Sequence, residues 1–172
     1  AEGIAFLETS GGRTPLGIVT PVANAIVDGL ARTSGGKRGV IAGSLRRGVE
    51  TIRDVDILCE AADGREVIDA FVHGTGVRRV LASGDTKGSV TVELYDRREL
   101  QIDLRVVAAE SFGAALQYFT GSKEHNVRLR EIAVRKKWRL NEYGLFAGEK
   151  RLAGATEEEI YARLGLPCFP PE

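Results

Sequence analysis

No excess of charge of either sign marks this chain: lysine plus arginine and aspartate plus glutamate both number 24. A global attraction to nucleic acid or membrane is thereby excluded, and any phosphate-binding function must come from local arrangement. Cysteine is scarce. Cys59, in an apolar stretch, and Cys168, near the end, have no metal-ligand spacing, so a reduced intracellular compartment is expected rather than a disulfide scaffold. No apolar run approaches the roughly 20 residues that span a bilayer, and no basic-then-apolar leader opens the chain. His73 and His125 have no partner pattern and read as surface residues. Internal repeats and low-complexity tracts are missing. What is present is a chain of 172 residues, long enough to bury a core as one domain or two small ones. Pro170 and Pro171, near its end, read as a passage into a longer protein.

The apolar residues Leu16, Val19, Val22, Ala23, Ile26, Val27 and Leu30 predict a helix opened by Thr14-Pro15 and ended by Ser34-Gly35-Gly36. Arg38 to Ala42 reads as a strand running into a Gly43-Ser44 turn, and Val55 to Cys59 as a second strand. A helix near Glu66 to Val72 follows, stopped by Gly74 and Gly76, and then a strand over Val77 to Ala82. Val90 to Leu94 and Leu100 to Val107 form an expected hairpin around the loop Asp96-Arg97-Arg98-Glu99. From Ser111 the character changes. Helices are expected over Ala114 to Phe119 and Lys123 to Lys137, then short strands near Trp138 to Asn141, Gly144 to Phe146 and Arg151 to Leu152. A last helix is opened by the capping box Thr156-Glu157-Glu158-Glu159. Mixed α+β in two subdomains is the expected class.

Asp54 and Asp56 alternate with Val55 and Ile57. In a strand, residues two apart point to one side with Cα atoms about 6.5–7 Å apart, so the two acids share a face. Asp103 lies in another such strand, between Ile102 and Leu104. Three carboxylates in apolar strands repel one another unless a cation joins them, because each would lose hydration unpaired. Magnesium suits such a set, taking carboxylate and phosphate oxygens while keeping some waters. Convergent carboxylates can hold two such ions, the arrangement used for in-line phosphoryl transfer. Alone, an Asp-x-Asp on a strand is a polar edge. Gly43-Ser44 ahead of it changes the balance: backbone N–H groups and a hydroxyl would meet phosphate oxygens, and Arg46 or Arg47 would add a guanidinium fork. Standing alone, those arginines would pair with Glu50.

At these residues the sequence resembles the nucleotidyltransferase superfamily, and more closely the family X DNA polymerases of the DNA polymerase beta type, bacterial members in particular. The motifs are Gly43-Ser44-Leu45-Arg46-Arg47-Gly48, Asp54-Val55-Asp56, Ile102-Asp103-Leu104-Arg105, Tyr118-Phe119-Thr120-Gly121-Ser122 with Asn126 and Arg130, and Leu140-Asn141-Glu142-Tyr143-Gly144-Leu145. The likeness runs from about Arg13 to the end, and the Tyr-Phe-Thr-Gly-Ser run carries most of its specificity. The resemblance implies a nucleotidyltransferase palm over residues 1–110, a mixed sheet flanked by helices, and a small α/β thumb over residues 111–172.

It also implies roles. Asp54 and Asp56 would ligate two Mg2+ ions, or Mn2+ in their place, and Asp103 would ligate the catalytic one beside the primer 3′-hydroxyl. Gly43, Ser44 and Arg47 would hold the nucleotide's phosphates, with Arg13 as a third contact. Tyr118 and Phe119 would line its sugar, Gly121 would belong to the nucleotide-binding set, and Arg105 would pair with a catalytic aspartate in an open state. Asn126 and Arg130, four apart on the expected helix, share a face; one would reach the minor-groove edge of the new base and the other the template. Lys87 would touch the DNA backbone, and the Gly121–Ser122 peptide would be cis. The implied protein is a monomeric, cytoplasmic and nucleoid-associated DNA-directed DNA polymerase core. It would take dNTP and primer-template or gapped DNA, fill gaps in repair, and have no membrane partner. The rivals are a template-independent or small-acceptor nucleotidyltransferase and a catalytically silent nucleotide- or DNA-binding fragment. Departures from the family pattern are Arg53, where glycine is frequent, and Gln101, where the vertebrate enzyme has an arginine touching the primer phosphate. No helix-hairpin-helix motif, lyase domain or histidine-rich metal domain is seen.

Overall fold

A computed structural model describes residues 12–32 and 35–171; the expected helix stop at Ser34 lies outside them. The short strand β1 (Thr14–Pro15) leads into helix α1 (Leu16–Ala31), for which Pro15, at φ −54°, supplies a ready-made start. Helix α1 buries Val19, Ala23 and Leu30. Then come β2 (Gly36–Ile41), the one-turn helix α2 (Gly43–Arg46), β3 (Thr51–Ile52), β4 (Asp54–Ala61) and α3 (Gly64–Val72). Asp63 caps α3 by accepting from the Arg65 N–H. Strands β5 (Val77–Ser83), β6 (Lys87–Glu93) and β7 (Glu99–Val107) complete a five-stranded sheet of order β2-β4-β7-β6-β5. Only β4 with β7 runs parallel, so the sheet is mixed.

Alternation along these strands separates two faces. Val55, Ile57, Cys59, Val90, Val92, Ile102, Leu104 and Val106 pack with α1 and α3 into one buried cluster. On the other face, Leu58 meets Phe112 and Ala115 of helix α4 (Phe112–Thr120), while the strand positions toward Asp54 stay partly open. After α4 come α5 (Lys123–Arg135) and a second sheet, β8 (Arg139–Asn141), β9 (Gly144–Ala147) and β10 (Lys150–Ala153), in order β10-β9-β8. Helix α6 (Glu157–Leu164) closes the chain's regular structure, capped by Thr156 accepting from the Glu159 N–H. Ala114 of α4, Leu129, Ala133, Leu145 and Ile160 form the core of this second part. The α+β class with a mixed sheet flanked by helices is as expected, and the sheet has five strands.

Three local differences have physical causes. The Gly43-Ser44 turn is the start of α2, with Gly43 at φ +62° turning the chain out of β2. Strand β6 begins at Lys87 rather than Val90, and its polar start conceals it: a Cβ on Gly88 would lie 3.1 Å from Phe71 Cδ1, so glycine lets α3 approach the sheet. Glu93 pairs with Glu99, so the hairpin connection is 94–98, with Arg97 at φ +66°, and Glu99 belongs to the strand rather than to the loop. The Gly121–Ser122 peptide is cis.

Helix α4 joins the two cores through its backbone as well. The N–H groups of Gly113 and Ala114, left without helical partners, donate to Ala155 O at 3.0 Å and Gly154 O at 2.9 Å. A Cβ on Gly113 would lie 2.2 Å from the Thr156 carbonyl carbon, whereas one on Gly29 of α1 meets nothing within 4 Å. Gly113→Ala is therefore expected to lower stability in urea by about 1–3 kcal/mol, and Gly29→Ala to raise it by up to about 1 kcal/mol. Equal midpoints for the two variants would contradict the close approach at Gly113.

Candidate functional site

The register of β4 on β7 sets Asp56 opposite Asp103 and Asp54 opposite Gln101. Residues directly opposite share a side of the sheet, so the three carboxylates occupy one face, at the end that α4 leaves open. Their charges bear on one another. Burial raises the Asp56 pKa from 3.8 to about 6, the nearby carboxylates of Asp54 and Asp103 push in the same direction, and Arg105 and Arg47 pull it down. The three do not close into a ligand cage: among the described residues no group of three or more His, Cys, Asp or Glu is arranged to hold a metal ion. Asp103 Oδ2 accepts from Gln101 Nε2 at 2.9 Å. The set still fits a hard divalent cation, since oxygen donors of like charge crowd a place where one of them holds its proton to about pH 6.

Beside them lies α2. Ala42 N–H donates to Asp56 O at 2.8 Å and fixes Gly43 against the carboxylate. A Cβ on Gly43 would stand 2.2 Å from Asp56 Oδ2. Glycine there is required twice, by its positive φ and by this contact. Across the gap, α4 and α5 bring their own groups. A cavity of about 550 Å³ is lined by Gly43, Ser44, Arg47, Asp54, Asp56, Tyr118, Phe119, Gly121, Lys123, Asn126 and Arg130. Tyr118 and Phe119 meet edge to face, with ring centroids 5.1 Å apart.

Cationic side chains tie the two walls together. Arg46 donates to Glu157 Oε1 and Oε2 at 2.8 and 2.7 Å and to Thr120 Oγ1 at 2.7 Å, not to Glu50. Arg47 donates to Thr120 O. The Arg105 guanidinium lies 4.4 Å from the centre of the Phe119 ring. Among the described residues no ion pair joins Arg105 to a carboxylate, although its charge acts on Asp56.

Of the fourteen residues expected at the site, ten line the cavity and Asp103 stands next to it on β7. Arg105 is not among the lining residues and packs on Phe119, which is. Arg13 and Lys87 are not among the lining residues. The Arg13 guanidinium donates to Thr51 Oγ1 at 2.9 Å and to Thr51 O, which holds the β1–β3 ladder. Lys87 is exposed at the start of β6, opposite Arg105. Arg53 is also exposed and outside the cavity lining. His125 is not a surface residue: its Nε2 lies 2.7 Å from the Tyr161 hydroxyl in a half-buried position. Sequence reasoning missed Lys123 and Gln117. Lys123 is the first residue after the Gly121-Ser122 turn, and Gln117 is a buried amide within an apolar helical run that donates to Asn126 Oδ1 at 2.6 Å. A polar residue on the buried side of such a helix was the available signal.

Comparison with known proteins places this arrangement. Residues 115–172 match the family model described as DNA polymerase beta thumb. The chain is 37% identical over 162 residues to the DNA polymerase/3′-5′ exonuclease PolX of Bacillus subtilis (strain 168), covering 93% of this chain and 28% of that protein. It is 30% identical over 158 residues to DNA polymerase lambda of Rattus norvegicus, covering 77% of this chain and 28% of the relative. Repair DNA polymerase X of African swine fever virus (strain Badajoz 1971 Vero-adapted) is 29% identical over 142 residues, covering 79% of this chain and 80% of the viral protein. The chain thus spans little more than a quarter of the first two relatives. Similarity to a bacterial, a mammalian and a viral polymerase, together with the thumb match, shows that the chain belongs to DNA polymerase family X.

Proposed function

We propose that this chain is the nucleotidyl-transferring core of a DNA-directed DNA polymerase, adding deoxynucleotides to a primer 3′-hydroxyl in short repair gaps. Residues 1–110 serve as the catalytic palm and 111–172 as the thumb. One observation carries the reading: a single cavity is lined at once by strand carboxylates, by the Gly43-Ser44-Arg47 corner and by Asn126 and Arg130 of α5. A triphosphate, a sugar and a base pair would each find a different wall.

Ser44, the backbone N–H groups beside Gly43 and the Arg47 fork hold the β- and γ-phosphates. Tyr118 and Phe119 bound the sugar, and Asn126 and Arg130 face the base and its template partner. Asn126 Nδ2 donates to Tyr118 O at 2.7 Å and Oδ1 accepts from Gln117, so contact with a base edge would exchange one of these bonds. Asp54, Asp56 and Asp103 would hold Mg2+, or Mn2+ in its place, which when bound neutralises charge on the transferring and leaving phosphates. The Asp103 carboxylate takes the proton of the 3′-hydroxyl, and the 3′-oxygen bonds to the α-phosphorus. The bond from that phosphorus to the bridging oxygen breaks, releasing diphosphate. Partners are primer-template or gapped DNA and dNTP. Among the described residues no helix is long and apolar enough to cross a membrane.

Primer extension against each of the four templating bases tests the reading. Incorporation that follows the template supports it, incorporation that ignores the template identifies a template-independent transferase, and DNA retention in a gel shift without extension identifies a silent binding module. Asp103→Ala is expected to lower extension at least about a hundredfold while leaving dNTP affinity nearly unchanged. Full extension by that variant would remove Asp103 from the mechanism.

Asp56 sets a pH dependence of stability as well. Folded, it keeps its proton to about pH 6; unfolded, it releases it near 3.8. Between these values the folded chain binds more protons, so its stability falls as pH rises and the cost is complete above pH 6. In chelator-treated protein Asp56→Asn should raise stability at pH 8 by about 1–3 kcal/mol and change little at pH 3.5. A gain of equal size at both pH values would show that ionisation is not its source.

A further inference from the structure

Gln101 stands on β7 two residues before Asp103 and therefore on the same face. Its register partners are Asp54 on β4 and Thr91 on β6, so an amide occupies the row beside the carboxylates. Nε2 donates to Asp103 Oδ2 at 2.9 Å and lies 3.4 Å from Ser89 Oγ. Ser89 and Thr91, at 4% and 6% exposed, give the amide a fixed floor on β6. A carboxylate has a broad, nearly two-fold torsion and no preferred oxygen until a donor selects one. A neutral donor makes that selection without adding a cation to a site whose negative charge attracts divalent ions.

We propose that Gln101 is a positioning residue for Asp103: its amide holds Oδ2 and thereby leaves Oδ1 as the oxygen that meets the primer 3′-hydroxyl and the cation. The inference rests on the proposed polymerase reading for its chemistry, but the hydrogen bond belongs to the protein itself. Gln101 is half-buried on the open face, so replacements keep the core intact. Its contribution should appear in turnover and in cation binding rather than in nucleotide affinity, because the primer end and the cation are the groups that meet the free oxygen of Asp103.

The test uses the whole chain with Gln101→Leu, which removes the donor at similar size, and Gln101→Arg, which restores planar N–H donors. Single-nucleotide primer extension gives kcat and KM for dNTP. Electron paramagnetic resonance of added Mn2+, with dNTP and without DNA, gives cation binding independently of turnover. Gln101→Leu is expected to lower kcat about ten- to a hundredfold with KM within about twofold, and to weaken Mn2+ binding severalfold. Gln101→Arg should recover most of the kcat. Unchanged kcat in Gln101→Leu overturns the inference, as does tighter Mn2+ binding, which would make the amide a competitor of the cation. Parallel loss in both variants with a lowered melting temperature overturns it in favour of packing. Should the unaltered chain fail to extend primers, the polymerase reading falls, and the Mn2+ measurement alone decides whether Gln101 orients Asp103.

Discussion

In-register parallel pairing of β4 with β7 is the constraint on which the rest of the structure depends. It is the sole parallel contact in the larger sheet, and the chain reaches it by a crossover through α3, β5 and β6. The apolar face fixes it. Val55, Ile57 and Cys59 lie level with Ile102, Leu104 and Val106 under α1 and α3, and a slip of one residue would turn the three of one strand out of the core. Asp54, Asp56, Gln101 and Asp103 are carried along on the opposite face. The polar site is therefore positioned by hydrophobic burial that none of its own members provides, and the mutual repulsion of its carboxylates is tolerated because the register has no alternative of comparable burial.

The second wall is set by one helix with two apolar faces. Phe112 and Ala115 of α4 seat on Leu58 of the sheet, while Ala114 packs into the core around Leu129 and Ile160. Tyr118, Phe119 and Thr120 at its end consequently stand over the carboxylate face. Arginines complete the seam, each using a different acceptor: Arg46 the Glu157 carboxylate, Arg47 the Thr120 carbonyl and Arg105 the Phe119 ring. The Arg46–Glu157 pair is largely withdrawn from water, with side chains 22% and 14% exposed, and has two parallel hydrogen bonds. Such bidentate pairing specifies relative orientation more than it adds stability.

Much of this was legible in the sequence, for stated reasons. Alternation around Asp54, Asp56 and Asp103 gave the strands and the shared face, and the spacing in α1 gave its buried stripe. Thr156 announced α6 by its capping chemistry. What periodicity could not show was long-range placement. Arg46 resembled a partner for the nearby Glu50, yet its acceptor lies 111 residues away. Arg13 bonds Thr51 across the β1–β3 ladder, a contact 38 residues away that local spacing does not announce. Lys87 and Ser89 hid the start of β6, because polar residues on an open sheet face read as loop. His125 appeared isolated since its partner, Tyr161, comes from a helix later in the chain.

Neutral overall charge and the proposed phosphate-handling site are compatible because the chain divides its cations between two uses. Arg78, Arg79 and Arg98, which form conspicuous basic doublets in the sequence, are matched on the surface by Glu93, Glu99 and Asp96. Exposed pairs of this kind contribute little stability, but they leave the outer sheet without a basic stripe. Arg47, Lys123 and Arg130, by contrast, line the cavity that also holds Asp54 and Asp56. These cations thus stand beside the carboxylates, where the proposed function puts a triphosphate, rather than along the outer sheet. Affinity for DNA grows with the number of phosphates neutralised, so under the proposed function cations gathered in one cavity serve a nucleotide rather than a long stretch of nucleic acid.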